Sequence, residues 1–210
     1  QEVLIMAFKT DQEKFWAGKF GNEYIDRNAG KKLLASNLHF FSNSLKSSTN
    51  ISTCIEFGAN IGMNLKALKL LFPDLKCEAV EINKEASVKL KELLSKDEIH
   101  EQSIIDFKPK KIWDLVLIKG VLIHINPNFL SQVYENLYHA SNKYILICEY
   151  YNTTPTKIEY RGFKDKLFKR DFAGEMMDTY KNLKLNSYGF GYHRDLNFPQ
   201  DDETWFLLEK

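Results

Sequence analysis

The chain has little of what small cross-linked, fibrous or membrane-spanning proteins depend on. Its 210 residues include three cysteines, Cys54, Cys77 and Cys148. An odd count, wide spacing and no Cys-x-x-Cys pair argue against a disulfide framework and a zinc site. Each cysteine lies in or beside an apolar, strand-like run, which suits buried free thiols in a reducing compartment. Proline (5) and glycine (10) are sparse, and neither an internal repeat nor a low-complexity tract is visible. Excess charge is also missing: Lys+Arg 29 against Asp+Glu 28 leaves +1. Such a balance implies no strong field, so bulk charge argues neither for nor against a nucleic-acid partner; none is expected on motif grounds. No apolar stretch approaches the ~18 residues that suggest a bilayer span. No signal-peptide pattern precedes the domain, although the chain starts at Gln1 and a segment before it can have been removed. The expectation is a cytoplasmic protein with no membrane partner. No cluster of metal ligands is visible, so no metal is expected.

Length and composition fit one domain with a full core, or one domain with a small appendage. Aromatic residues are plentiful, with 15 Phe and 10 Tyr. They fill a core or form a stacking pocket.

The densest information lies in Cys54-Ile55-Glu56-Phe57-Gly58-Ala59-Asn60-Ile61-Gly62. A short apolar run carrying an acid is followed by two glycines four positions apart, and an amphipathic helical pattern starts at Met63. This reads as strand, tight turn and helix start. Such a turn presents backbone N–H groups at a helix N-terminus, a place to hold a polar or anionic group. Gly58 and Gly62 permit positive φ and close approach of a ligand, and Asn60 tolerates the left-handed region. Glu56 can face a cationic ammonium or order the loop.

Around this turn, strands and helices alternate. Residues 11–43 are expected to be helical, with Phe15, Trp16, Phe20, Tyr24 and Ile25 mainly on one face. Strands are expected at 52–57, 75–82, 99–104, 112–118 and 143–149, and helices at 63–72, 84–95 and 126–140. Residues 152–170 read as a long loop or cover. A helix at 171–180 capped by Asp171 follows, then strands at 183–192 and 204–209. Repeated β-α-β units predict a parallel sheet with helices on both faces, and ligands of such folds bind at the carboxyl ends of the strands.

Two ligands compete for the turn. A dinucleotide wants Gly-x-Gly-x-x-Gly after the strand, whereas this chain has Gly-x-Asn-x-Gly and lacks the third glycine. S-adenosylmethionine brings a carboxylate, an ammonium, a ribose and an adenine. Glu81, ending the second strand, can accept both ribose hydroxyls, and Ile82 can pack on the adenine face. Asp106 can meet the adenine amino group, with Ser103 and Ile104 as nearby alternatives. Lys119 and Gly120 follow the fourth strand, beneath the sulfonium. An Asn/Asp-Pro-Pro-aromatic motif is absent after that strand, which argues against methylation of nucleic-acid bases.

With Glu56, Gly58, Asn60, Gly62, Glu81 and Asp106 in this strand order, the chain resembles the class I S-adenosylmethionine-dependent methyltransferases. The resemblance implies a Rossmann-like α/β fold of seven mostly parallel strands, the last inserted antiparallel, with S-adenosyl-L-methionine as cofactor. Further segments narrow it. Phe15-Trp16-Ala17-Gly18-Lys19-Phe20-Gly21-Asn22-Glu23-Tyr24 with Arg27-Asn28, Glu149-Tyr150-Tyr151-Asn152, Tyr160-Arg161-Gly162, Lys166-Leu167-Phe168-Lys169-Arg170-Asp171-Phe172 and the ending from Asp201 to Lys210 are similar to the pseudaminic acid biosynthesis-associated methylases. That resemblance implies a small-molecule acceptor related to the sugars of surface-glycan biosynthesis.

On this reading residues 1–45 form a helical lid and 46–210 the methyltransferase domain. Phe15, Trp16 and Phe20 lie over the cofactor as the lid, with Tyr24, Arg27 and Asn28 reaching its methionine end, Arg27 by a bidentate contact to the carboxylate; the alternative is a helix packed on the sheet edge. His124, Tyr150 and His193 are candidates for catalysis, each with a packing or surface role as its alternative. Tyr151, Arg161 and Arg170 are candidates for the acceptor, the cations suiting a carboxylate or phosphate. A nicotinamide-dependent oxidoreductase and a non-catalytic methyltransferase-like binding protein remain the other readings.

Overall fold

The computed structural model describes residues 8–25 and 30–210. Strands β1 (Thr53–Phe57), β2 (Lys76–Glu81), β3 (Ile99–Glu101), β4 (Trp113–Lys119), β5 (Ser141–Glu149), β8 (Lys184–Gly191) and β9 (Glu203–Glu209) form one sheet in the order β3-β2-β1-β4-β5-β9-β8. The pairs from β3 to β5 are parallel, and β9 runs antiparallel between β5 and β8. The chain moves outward from β1 to β3 and then returns to lay β4 on the other side of β1. That reversal opens a crevice beyond the carboxyl ends of β1 and β4, where open α/β sheets bind ligands.

The sheet is buried on both faces because its central strands are apolar at consecutive positions. Val116 and Ile118 of β4, with Ile145 and Ile147 of β5, enter one core layer. It is covered by α6 (Leu130–Ala140), through Val133 and Leu137, and by α7 (Phe172–Thr179), through Met176. Leu115, Leu117, Tyr144 and Leu146 enter the opposite layer. There they meet Phe40 and Phe41 of α3 (Lys31–Ser44), Leu65 and Leu68 of α4 (Met63–Leu71) and Leu90 of α5 (Lys84–Leu90). All three cysteines are buried free thiols in this second layer. At the amino edge Asp114 Oδ2 accepts from the backbone N–H and hydroxyl groups of Ser52 and Thr53. Those bonds hold its carboxyl down at about 2, against its modest burial.

The expected helical start divides into α1 (Asp11–Ala17), α2 (Lys19–Ile25) and α3. A reciprocal capping box starts α1: Thr10 Oγ1 accepts from Glu13 N–H (3.1 Å) and Glu13 Oε2 from Thr10 N–H (2.8 Å). Gly18 ends it. Two elements are shorter than the sequence predicts. Helix α5 stops at Leu90, and Ser95 opens a separate capped turn with Glu98. Strand β3 stops at Glu101, because Ser103 Oγ accepts from Ile105 N–H (3.2 Å) and closes a turn.

The larger correction concerns the local structure of residues 152–170, expected as a long loop or cover. They contain a hairpin, β6 (Thr156–Tyr160) and β7 (Phe163–Lys169), outside the main sheet. Its two-residue loop is Arg161-Gly162, with φ of 51° and 84°. Positive φ at both positions gives the turn hand that matches strand twist. Gly162 takes this conformation readily, while Arg161 adopts it under the constraint of the Tyr160–Phe163 pairing.

Candidate active site

A cavity of about 330 Å3 opens at the carboxyl edge of the sheet, over the crevice between β1 and β4. The turns after β1, β2 and β4 form its floor, α1 and α2 its roof, and the hairpin loop and the segment before β9 its rim.

Gly58, Asn60 and Gly62 in the first turn all have positive φ (81°, 50° and 79°). Gly58 N–H and Ala59 N–H both donate to Val80 O on β2 (2.8 and 3.2 Å), so the turn folds against the neighbouring strand. Asn60 N–H donates to Glu81 Oε2 (2.7 Å), and Asn83 N–H to Glu81 Oε1 (2.7 Å). Each oxygen of this buried carboxylate thus accepts one backbone N–H and retains a further lone pair. Burial raises the Glu81 pKa, while the N–H groups of Asn83, Asn60 and Ile82 pull it back.

Asn83 links floor to roof. Its Oδ1 caps α5 through Ala86 N–H (3.0 Å), and its Nδ2 donates to Trp16 O (3.0 Å) and Asn22 Oδ1 (2.7 Å). On the other side Gln12 Nε2 donates to Asp165 O on β7 (2.8 Å), tying the roof to the hairpin. Trp16 packs on Tyr24, His124 and Tyr160. Its indole Nε1 is buried with no hydrogen-bond partner among the described residues. A buried donor left unpaired costs about 1–3 kcal/mol, so the roof carries a donor in need of an acceptor.

At the end of β5, Glu149 accepts from the N–H groups of Val121 (2.9 Å), Leu122 (2.8 Å) and Ile123 (3.4 Å). This clamp fixes the turn that presents His124. His124 Nδ1 lies 2.6 Å from Lys166 O. Burial pushes the imidazole down to about 4, the Lys166 carbonyl pulling weakly the other way. Burial, with Asp201 and Glu203 nearby, pushes the Tyr150 phenol well above its ordinary value. Tyr150 therefore stays protonated at neutral pH, a hydrogen-bond donor and not a base. Lys119 Nζ binds Glu203 Oε1 (2.6 Å); burial lowers the lysine's pKa, but Glu203 more than reverses this.

Twelve residues singled out from the sequence line this cavity: Trp16, Tyr24, Gly58, Asn60, Glu81, Ile82, Ser103, Ile104, Lys119, His124, Tyr150 and Arg161. Six lie outside its lining, each with another partner. Glu56 points under the turn, where Oε1 accepts from Asn64 Nδ2 (2.6 Å). Gly62 starts α4 against Leu90. Asp106 pairs with Lys9 on the surface. Tyr151 is exposed beside Phe206. Arg170 Nε binds Glu175 Oε1 (2.6 Å) beside α7. His193, expected as a possible base, is exposed and pairs with Asp202 (2.8 Å). Arg27 and Asn28 fall outside the described residues.

Sequence reasoning did not single out Asn83 as a roof anchor, nor Gln200, Asp201 and Glu203 as part of the rim. The Asn83 cap was legible; its second amide contact depends on where α1 and α2 lie. Gln200 and Asp201 sit in the polar connection before β9 and Glu203 is the first residue of that strand; all three reach the cavity only because β9 inserts beside β5.

The hydrogen bonds below the turn form a chain: Gln200 Nε2 to Asn37 Oδ1 (3.3 Å), Asn37 Nδ2 to Asn64 Oδ1 (2.9 Å), and Asn64 to Glu56. Glu56 Oε2 is buried without a partner among the described residues. Burial raises this carboxyl from 4.5 to about 8, against Asn64 and Lys119. Since the folded-state pKa is the higher one, the folded chain holds the extra proton, and stability is lost as pH rises from about 4.5 through 8. The slope for one such group is at most about 1.4 kcal/mol per pH unit. Glu149, also raised to about 8, contributes with the same sign. Glu56→Gln keeps an acceptor for Asn64 and cannot ionise. The variant is expected to lose part of the wild-type fall in urea midpoint between pH 5 and 8; identical profiles would refute the assignment.

Comparison of the sequence with models of known protein families gives no match, and neither does comparison with curated proteins. Solved structures do match. The magnesium protoporphyrin IX methyltransferase (ChlM) from Synechocystis PCC 6803, with bound SAM, is similar at a TM-score of 0.66 and 9% identity, over 97% of this chain and 99% of that one. The plantazolicin methyltransferase BpumL in complex with SAH gives 0.62 and 13%, over 95% and 93%. The O-methyltransferase from the trans-AT PKS multienzyme of Brevibacillus brevis, in complex with S-adenosyl-L-homocysteine, gives 0.62 and 12%, over 97% and 81%. At these identities the likeness is one of fold: the chain has the Rossmann-like fold of these methyltransferases.

Proposed function

We propose that this chain is an S-adenosylmethionine-dependent methyltransferase acting on a small polar acceptor. The observation that carries the reading is Glu81: a buried carboxylate at the end of β2, held by Asn60 N–H and Asn83 N–H at the glycine turn of a methyltransferase sheet. The residues present suit the cofactor. Glu81 would hold the ribose hydroxyls, Ile82 and Ile104 would flank the adenine with Ser103 at its edge, and the Gly58–Gly62 turn with Trp16 Nε1–H would meet the amino-acid end. When bound, S-adenosylmethionine supplies an electrophilic methyl group. The protein's part is then to place the acceptor in line and to exclude water, which the roof of α1 and α2 supports through Asn83 and Gln12. We read these two helices as the lid; α3, packed on α4 in the core, serves the domain itself.

The acceptor is read as a sugar or sugar nucleotide of surface-glycan biosynthesis, on the resemblance of the flanking segments. Arg161 supports an acceptor bearing a carboxylate or phosphate. It lines the cavity at the hairpin loop, its guanidinium lies 5.6 Å from the Tyr160 ring centroid, and no carboxylate pairs with it among the described residues. No helix among the described residues is long and apolar enough to cross a membrane.

Calorimetric titration of the protein with S-adenosylmethionine, S-adenosylhomocysteine and NADH tests the reading. The first two are expected to bind one per chain and NADH not at all. Binding of NADH with no response to either sulfur compound would replace it with the oxidoreductase reading.

A further inference from the structure

We infer that His124 is the general base of the methyl transfer and that the atom it serves is a hydroxyl oxygen of the acceptor. The inference rests on the methyltransferase reading above and adds the acceptor atom to it.

Geometry selects His124 from the two candidate histidines. His193 is exposed, outside the cavity and engaged with Asp202. His124 lines the cavity, on a turn whose N–H groups are clamped by Glu149. Its ring is held between two aromatic neighbours, with centroids 4.6 Å from Trp16 and 4.9 Å from Tyr160. The contact from Nδ1 to Lys166 O then fixes the tautomer. A carbonyl oxygen only accepts, so Nδ1 carries the proton. A neutral imidazole has one N–H, which leaves Nε2 with a free lone pair.

The surroundings keep the ring neutral. Trp16 from α1 brings no charge. From the hairpin, Tyr160 brings a phenol and Lys166 its carbonyl, while the Lys166 ammonium lies over Phe15, 5.5 Å from the ring centroid. The Glu149 carboxyl accepts from the backbone N–H groups of the same turn. With the imidazole at about 4, the base form prevails throughout the neutral range.

A neutral amine or a carboxylate attacks with a lone pair it already has. A hydroxyl must shed its proton, and this is the task an unprotonated Nε2 performs. The acceptor oxygen forms the new C–O bond as the methyl C–S bond breaks, the electron pair of that bond returning to sulfur. The hydroxyl proton passes to Nε2 and from the imidazolium to water. Oxygen becomes strongly acidic as it is alkylated, so a base as weak as His124 suffices late in the transfer.

The test begins with protein labelled with 15N at histidine, in the presence of S-adenosylhomocysteine at pH 7. Two-dimensional correlation of imidazole nitrogens with ring protons is expected to show Nδ1 protonated and Nε2 bare. A charged ring or an Nε2–H tautomer overturns the inference. The second arm uses His124→Asn, whose amide can still donate to Lys166 O but offers no basic nitrogen. S-adenosylhomocysteine affinity by calorimetry is expected to stay within about twofold. Transfer of a labelled methyl group to N-acetylglucosamine is expected to lose about 10²–10⁴-fold in kcat with little change in KM. Glucosamine, offered in parallel, is expected to be methylated on oxygen. N-methylation, or undiminished O-methylation by the variant, overturns the inference. Failure of S-adenosylhomocysteine to bind wild-type protein would refute the methyltransferase reading instead, and the tautomer is measured independently of it.

Discussion

Glu81→Ala is expected to weaken S-adenosylmethionine binding by about 10²–10⁴-fold. On the proposed reading the carboxylate would offer two ribose hydroxyls one charged hydrogen bond each, and such bonds contribute about 1.5–3 kcal/mol apiece. Every 1.4 kcal/mol is about a factor of ten in affinity. The same substitution removes the acceptor of Asn60 N–H and Asn83 N–H, so the glycine turn loses its tie to β2 as the ligand loses its anchor. Glutamine does not repair this. One of its terminal atoms is an NH2 group, which would face a backbone N–H donor where Glu81 presents an oxygen. Glu81→Gln should therefore bind nearly as poorly as alanine, although it is isosteric. Calorimetry on both variants, with thermal unfolding measured without ligand, separates a lost contact from a collapsed turn. Wild-type affinity in a folded alanine variant would remove Glu81 from the ribose site.

The part of this architecture that follows local rules was open to sequence reasoning. Val116 with Leu117 and Ile145 with Leu146 are consecutive apolar residues, so β4 and β5 had to be covered on both sides. Gly58, Asn60 and Gly62 marked the left-handed turn directly. The hairpin was less legible, because Arg161 stands where Asn or Asp would have announced a two-residue turn. Lysines at 157, 164, 166 and 169 also make its strands look like a solvated loop.

The site divides along the same line. Glu81 and Asn60 are set by turns within one β-α-β unit, and the cavity brings them together. Asp106 stood two positions from a residue that does line the cavity, Ile104. It faces Lys9 instead, because the turn begun by Ser103 rotates the chain outward. Tyr150 and Tyr151 show the two-fold alternation of an extended chain: one lines the cavity and the next lies against Phe206 on the outside. Glu203 and Lys119 come together only through the insertion of β9, a long-range pairing that no local pattern encodes.

Gly58→Ala is expected to lower the unfolding temperature by about 4–20 °C, and the loss has two separable parts. The backbone at Gly58 has φ of 81°, where a Cβ costs about 1–2 kcal/mol. That Cβ would also lie 2.6 Å from Val121 Cγ2, an overpacking that typically costs about 1–3 kcal/mol. The sum is about 2–5 kcal/mol, and a chain of this size shifts by about 2–4 °C per kcal/mol. Val121→Ala removes the clash and leaves the backbone term. In that background Gly58→Ala should cost only about 1–2 kcal/mol, giving a coupling of about 1–3 kcal/mol in a double-mutant cycle. The contact matters to function because it sets the spacing of two floor turns: Gly58 begins the one after β1, and Val121, its N–H clamped by Glu149, begins the one after β4. A methyl group wedged between them would move the Glu81 anchor away from the His124 turn. S-adenosylmethionine affinity should therefore fall in Gly58→Ala and recover in part in the double variant. Strict additivity in both stability and affinity would show that the two turns are not in mechanical contact, and that Gly58 is required for its backbone conformation alone.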